Sequence, residues 1–121
     1  MANILVVDDS ELIQQMLKRV LEKGGHRVWV AAKLGTAVNT VKSNRLDLLV
    51  MDLNLADARG EEAIRAIRKY LKLEITIVVL TGEITTDTVF ALQPLGVSGF
   101  VAKSEDFGVK LIEEIRRALQ G

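Results

Sequence analysis

Residues 4–12 read ILVVDDSEL: four aliphatic side chains, two adjacent acids, then a serine ahead of the next apolar pattern. An unbroken run such as Ile4-Leu5-Val6-Val7 is expected where both faces of a strand are covered. Asp8 and Asp9 fall at its carboxyl end, and Ser10 suits the N-cap of a following helix. Adjacent carboxylates repel, and the end of a hydrophobic strand solvates them badly. A positive charge therefore belongs between them and a third group elsewhere in the chain.

The same alternation recurs along the sequence. Strands are expected at Asn3–Val7, Arg27–Ala31, Asp47–Met51, Ile75–Leu80 and Gly99–Ala102. Helical stripes lie between and after them: Leu12, Ile13, Met16, Leu17, Val20 and Leu21; Leu34, Ala37, Val38 and Val41; Ala63, Ile64, Ile67 and Leu71. Val89, Phe90 and Leu92 mark a short fourth helix, and Phe107, Leu111, Ile112, Ile115 and Leu119 a fifth. Gly24-Gly25 suits the stop of the first helix, and Pro94 with Gly96 ends the fourth early. Without a linker or repeat, residues 1–121 read as one domain. Strand–helix alternation through five units implies an α/β fold, a (βα)5 doubly wound parallel sheet. Ligands of such sheets bind beyond the carboxyl ends of the strands.

That rule sorts the polar residues. Asp8 and Asp9 follow the first strand, Asp52 the third, Thr81 the fourth and Lys103 the fifth. Two carboxylates about 4 Å apart in partly screened surroundings repel by roughly 4 kcal/mol, so a cation is the natural occupant of the acidic pocket. All-oxygen ligands without His or Cys select a hard ion, Mg²⁺ or Mn²⁺. Such an ion beside a lysine and a threonine suits a phosphoryl group, and a carboxylate there can act as a nucleophile. Asp52 is the candidate because it stands alone on the central strand.

Bulk properties narrow the function classes. The chain has no cysteine, which excludes disulfides and thiolate chemistry. Sixteen basic residues balance sixteen acidic ones, so direct nucleic-acid binding is not expected. Arg65, Arg68 and Lys69, beside Glu61 and Glu62, read as a solvated helix face. No apolar stretch reaches membrane-span length and no secretory signal is present, so no membrane contact and a cytoplasmic location are expected.

The segments VVDDS, LLVMDLNLADARG, VVLTGE and GFVAKS, each on its own strand and in this order, resemble the receiver domain of two-component response regulators, over the whole chain. The resemblance implies a flavodoxin-like strand order, 2-1-3-4-5. It implies that Asp52 takes a phosphoryl group from a phosphohistidine of a histidine kinase or histidine phosphotransfer protein. It implies Mg²⁺ held by Asp9, Asp52 and the backbone carbonyl of Asn54, with Asp8 assisting. By the same carry-over Thr81 and Lys103 stabilise the phosphoryl group, and Thr81 and Phe100 form a switch. The switch reshapes the face of the fourth helix, fifth strand and fifth helix toward a downstream protein or a fused output domain. Asn54 and Glu83 occupy the positions that tune phosphoryl lifetime.

Two departures stand out. Ser104 follows Lys103 where the family usually has proline, so a trans bond is expected, with Ser104 capping the last helix ahead of Glu105 and Asp106. Leu55-Ala56 replaces a frequent Met-Pro. Taken singly, each motif has a plain structural reading: Asp-Asp as a turn or cap, Lys103 as a surface lysine, Thr81-Gly82 as a strand end, Phe100 as packing. His26 reads as structural or exposed, Trp29 as half-buried packing, and Tyr70 carries no signal.

Competing functions differ in chemistry. A magnesium-dependent phosphohydrolase with an aspartyl-phosphate intermediate would want a second acid two residues after its nucleophile. Position 54 is Asn, and the equivalent position after Asp8 is Ser10. A flavin binder would not place Asp8-Asp9 where the phosphate sits, and no G-x-G-x-x-G or P-loop pattern occurs.

Overall fold

The computed structural model describes residues 1–55, 58–70 and 74–120, with the main chain alone at Tyr70. Five strands alternate with five helices: β1 (Asn3–Val7), α1 (Glu11–Lys23), β2 (Arg27–Ala31), α2 (Leu34–Ser43), β3 (Leu48–Asp52), α3 (Gly60–Arg65), β4 (Thr76–Thr81), α4 (Thr86–Leu92), β5 (Gly99–Ala102) and α5 (Phe107–Gln120). The strands form one parallel sheet in the order β2-β1-β3-β4-β5. The expected doubly wound α/β fold and flavodoxin-like order are both present.

Side-chain alternation along the strands builds two cores. Leu5, Val7, Leu49, Met51, Ile77 and Val79 point to one face, where Ala37, Val41, Ala63, Ile64, Ile67 and Leu92 from α2, α3 and α4 with its adjoining turns cover them. Ile4, Val6, Leu48, Val50, Val78, Leu80 and Val101 point to the other, beneath Leu17 and Leu21 of α1 and Leu111 and Ile115 of α5. A sheet covered on both faces is what the continuous Val/Ile/Leu runs require.

Local signals account for most element ends. Ser10 caps α1, its hydroxyl accepting a hydrogen bond from the Ile13 N–H. Gly25, at φ 90°, takes the left-handed conformation after α1. A 3₁₀ turn, Gln93–Leu95, ends at Gly96 with φ 74°, matching the early stop expected of Pro94 and Gly96. The third and fourth strands are displaced by one residue from the sequence expectation, so Asp52 and Thr81 are the last residues of β3 and β4. Ladder hydrogen bonding, not hydrophobicity, sets those ends.

Several apolar expectations need correction. Leu12 is 80% exposed, Met16 is exposed and Phe90 is 68% exposed, because their stripes extend past the edge of the neighbouring layer. Leu71 and Ala56 lie outside the described residues. After Arg65 the helix continues as a π-helical turn, Ala66–Tyr70, which carries Arg68. Its Nε donates to the Leu95 carbonyl at 2.8 Å, so Arg68 is a tether between elements and not part of a solvated face. Arg65 and Lys69 are exposed as expected. His26 Nδ1 accepts from the Ala2 N–H, and half-buried Trp29 packs on the core with the Arg27 guanidinium 4.9 Å from its ring centroid. Among the described residues no helix is long and apolar enough to cross a membrane.

Candidate functional site

The parallel sheet brings the carboxyl ends of β1, β3, β4 and β5 to one rim. Among the described residues the buried polar side chains are Asp8, Gln14, Asp52 and Thr81. Three of these were marked by sequence; Gln14 was not. Burying a polar group is costly unless it is satisfied, so their grouping requires an account.

Asp8 is fully buried and bound on several sides. Its N–H donates to the Ala31 carbonyl at 3.0 Å, extending the β1–β2 ladder by one step. Its Oδ1 accepts from the Ser10 N–H at 2.8 Å, which turns the chain into α1. Its carbonyl accepts from Gln14 Nε2, and its Oδ2 lies 3.1 Å from Lys103 Nζ. That last contact is an ion pair, and Oδ2 makes no aligned hydrogen bond. Asp9, one residue on, is exposed.

Asp52 sits at 1% exposure in the middle of the rim. Its Oδ1 accepts from the Asn54 N–H at 3.1 Å and its Oδ2 lies 3.2 Å from Lys103 Nζ. Burial pushes the Asp52 carboxyl above the usual aspartate range; the nearby Asp8 charge adds to this, while the Asn54 N–H and Lys103 oppose it. Burial alone would lower the Lys103 ammonium, but Asp8 and Asp52 outweigh it and hold the amine above its usual range. Lys103 pairing does not bring Asp52 back to normal, because desolvation is the larger effect at a nearly inaccessible carboxylate.

Carboxylate oxygens of Asp8, Asp9 and Asp52 lie within 4.8 Å of one another. This donor set, with an Asp8 Oδ2 lacking an aligned hydrogen bond, fits a hard divalent cation. Asn54 is exposed and forms an isolated bridge with Arg59, placing its main chain beside Asp52. Thr81 is buried and donates its hydroxyl to the Glu83 carbonyl at 3.2 Å; the Glu83 side chain is exposed. Phe100 pairs in register with Val79 and packs half-buried on the core.

No cis peptide bond occurs among the described residues, as expected for Ser104 after Lys103. The cap differs from expectation. The Ser104 hydroxyl donates to the Asp106 carboxylate at 2.9 Å, while α5 begins only at Phe107. Glu105 and Asp106 therefore precede the helix and do not form its first turn.

The sequence profile of the response regulator receiver domain matches residues 4–117. This chain belongs to that family. The receiver is 30% identical over 120 residues to the KDP operon transcriptional regulatory protein KdpE of Escherichia coli, covering 99% of this chain and 52% of that protein. It is 32% identical over 110 residues to the CAI-1 autoinducer sensor kinase/phosphatase CqsS of Vibrio cholerae, covering 89% of this chain and 16% of that one. The chain thus spans about half or less of the length of these curated relatives. Its fold superposes on the chemotaxis response regulator CheY4 of Vibrio cholerae with a TM-score of 0.87, at 28% identity and 98% coverage of both chains. Receivers of this family work with histidine kinases in two-component signalling.

Proposed function

We propose that the receiver accepts a phosphoryl group on Asp52 from a phosphohistidine of a histidine kinase or histidine phosphotransfer protein, in the cytoplasm. The observation that carries this reading is the position of Lys103 Nζ, 3.2 Å from Asp52 Oδ2 and 3.1 Å from Asp8 Oδ2, on a rim shared with Asp9. A carboxylate oxygen of Asp52 attacks phosphorus; the P–N bond breaks, and its electron pair returns to the imidazole nitrogen. Lys103 is placed to neutralise charge on the phosphoryl oxygens, and the buried setting strengthens that attraction.

Asp8, Asp9, Asp52 and the Asn54 carbonyl are the groups that would hold Mg²⁺ or Mn²⁺. When bound, the ion would supply further charge neutralisation at the phosphoryl oxygens. The Thr81 hydroxyl has only a long hydrogen bond to the Glu83 carbonyl to surrender before it can donate to a phosphoryl oxygen. Withdrawal of Thr81 frees space beside β5, and Phe100 is the aromatic side chain that would take it, altering the α4–β5–α5 face read by a downstream partner. Exposed Asn54 and Glu83 leave water a path to the acyl phosphate, favouring a short-lived phospho-state. In this reading the receiver turns over only its own phosphoryl group.

Treatment with acetyl phosphate and Mg²⁺ should add one phosphoryl mass to the native protein and none to Asp52→Asn. Labelling that persists in Asp52→Asn would overturn the assignment. Steady-state hydrolysis of small phosphomonoesters would instead support a phosphohydrolase.

A further inference from the structure

Gln14 lies on the first helix among apolar neighbours, yet its side chain is 8% exposed and carries a polar amide into the protein. It is the one buried polar side chain, among the described residues, that the proposed phosphoryl chemistry does not use. Its Nε2 donates to the main-chain carbonyl of Asp8. That carbonyl belongs to the peptide joining Asp8 to Asp9, so the hydrogen bond sets the plane from which the Asp9 side chain departs. The other polar atoms of Asp8 are directed elsewhere: its N–H to Ala31, Oδ1 to the Ser10 N–H and Oδ2 to Lys103. Two donors of the first helical turn are already committed elsewhere, the Gln14 N–H to the Ser10 carbonyl and the Ile13 N–H to the Ser10 hydroxyl.

We infer that Gln14 is a positioning residue for cation binding: through the Asp8 carbonyl it holds the Asp8–Asp9 peptide so that exposed Asp9 faces buried Asp8 and Asp52. Without the amide donor the Asp8 carbonyl is buried unpaired, and the peptide rotates to recover a partner. Rotation carries Asp9 away from the other two carboxylates. Asp8 stays in place, because the β1–β2 ladder and Lys103 hold it. The effect is thus specific to Asp9 and to whatever needs it.

This inference rests on the reading of the acidic rim as a divalent-cation site, and the experiment separates the two. Mg²⁺ affinity is measured by calorimetry on the native protein, Asp9→Ala, Gln14→Met and Gln14→Arg. Met fills the same space without a donor; Arg keeps N–H groups within reach of the carbonyl. Gln14→Met should weaken Mg²⁺ binding by about tenfold, the usual scale for losing a group that orients a metal ligand. Gln14→Arg should bind Mg²⁺ more tightly than Gln14→Met does but less tightly than the native protein, since its added positive charge repels the ion. A Gln14→Met protein that binds Mg²⁺ as the native does overturns the inference, as does a Gln14→Arg protein no better than Gln14→Met. Failure of the native protein to bind Mg²⁺ overturns the cation-site reading, and this inference with it. Should Gln14→Met not fold, the Gln14 side-chain amide resonances of the native protein decide. Protection from solvent exchange and a shift on adding Mg²⁺ are expected; rapid exchange with no shift rejects the role.

Discussion

Gly60 rests against the main chain of Asp52. A methyl group at residue 60 would lie 2.5 Å from the Asp52 carbonyl oxygen and 2.6 Å from Leu53 Cα. Both are backbone atoms, so no side chain can swing aside. The contact is reinforced by the Gly60 N–H, which donates to the Leu53 carbonyl at 3.0 Å. Gly60→Ala should therefore cost about 1–3 kcal/mol, the scale of forced overpacking. It should also slow phosphorylation by acetyl phosphate, because the backbone that gives way carries the proposed acceptor, Asp52. Urea titration and single-turnover labelling would show both effects; an unaffected labelling rate would mean that the strain relaxes into α3 instead.

Removing the amine leaves two buried carboxylates facing each other. Breaking a fully buried ion pair costs 3–5 kcal/mol; with Lys103 still a quarter exposed, Lys103→Met should cost about 2 kcal/mol at neutral pH. The native contribution of Lys103 is present below the ordinary lysine range and fades only as alkali reaches its elevated value. In the variant the deficit should shrink as acid protonates Asp52, and shrink again when Mg²⁺ is added. Thermal unfolding against pH, with and without the ion, measures this. A deficit independent of both would contradict the electrostatic account.

Asp52 is expected to lower the stability of the resting protein. Its carboxyl sits above the ordinary aspartate range chiefly through burial, so the native state binds the proton more tightly than the unfolded chain. Stability therefore falls as pH rises from the ordinary aspartate value through the elevated one. Asp52→Asn should be more stable than the native protein at pH 7, by about 1 kcal/mol or roughly 4 °C, without metal. The advantage should vanish in acid. A less stable Asn variant at neutral pH would show that the Lys103 pairing outweighs desolvation. Asp9, being exposed, should give a much smaller change when replaced by Ala.

Leu12 and Met16 form an exposed apolar strip on α1, one turn apart, starting three residues from Asp9. Under the proposed function, a phosphohistidine-bearing partner that docks on this helix would bury the strip. Leu12→Ala should slow transfer from such a donor by about tenfold, the loss expected of an interface anchor. Labelling by acetyl phosphate, which needs no docking, should stay unchanged. Equal slowing of both reactions would place Leu12 in the chemistry and not in docking.

How far the residues foretold this can be argued position by position. The alternation of Val/Ile/Leu runs with 3.6-period stripes specifies a doubly wound sheet, because burial on two faces demands those patterns and few others. Asp8, Asp52, Thr81 and Lys103 could be placed on one rim for the same reason: parallel strands all end on the same side. Gln14 shows where periodicity held unread information. It stands three residues before Leu17 and seven before Leu21, on the buried stripe of α1, and a polar residue at such a position signals a hydrogen bond to be made. Other features depend on contacts between distant elements. Leu12, Met16 and Phe90 satisfy helical periodicity yet reach solvent, since the pattern cannot say where the neighbouring layer stops. Arg68, on the π-helical turn after α3, donates to the Leu95 carbonyl, a partner 27 residues away that local spacing does not reveal. The 3.1 and 3.2 Å contacts of Lys103 with Asp8 and Asp52 come from the crossing of β5 beside β4 and β1 beside β3. Local chemistry decides which elements form; long-range packing decides which charges meet.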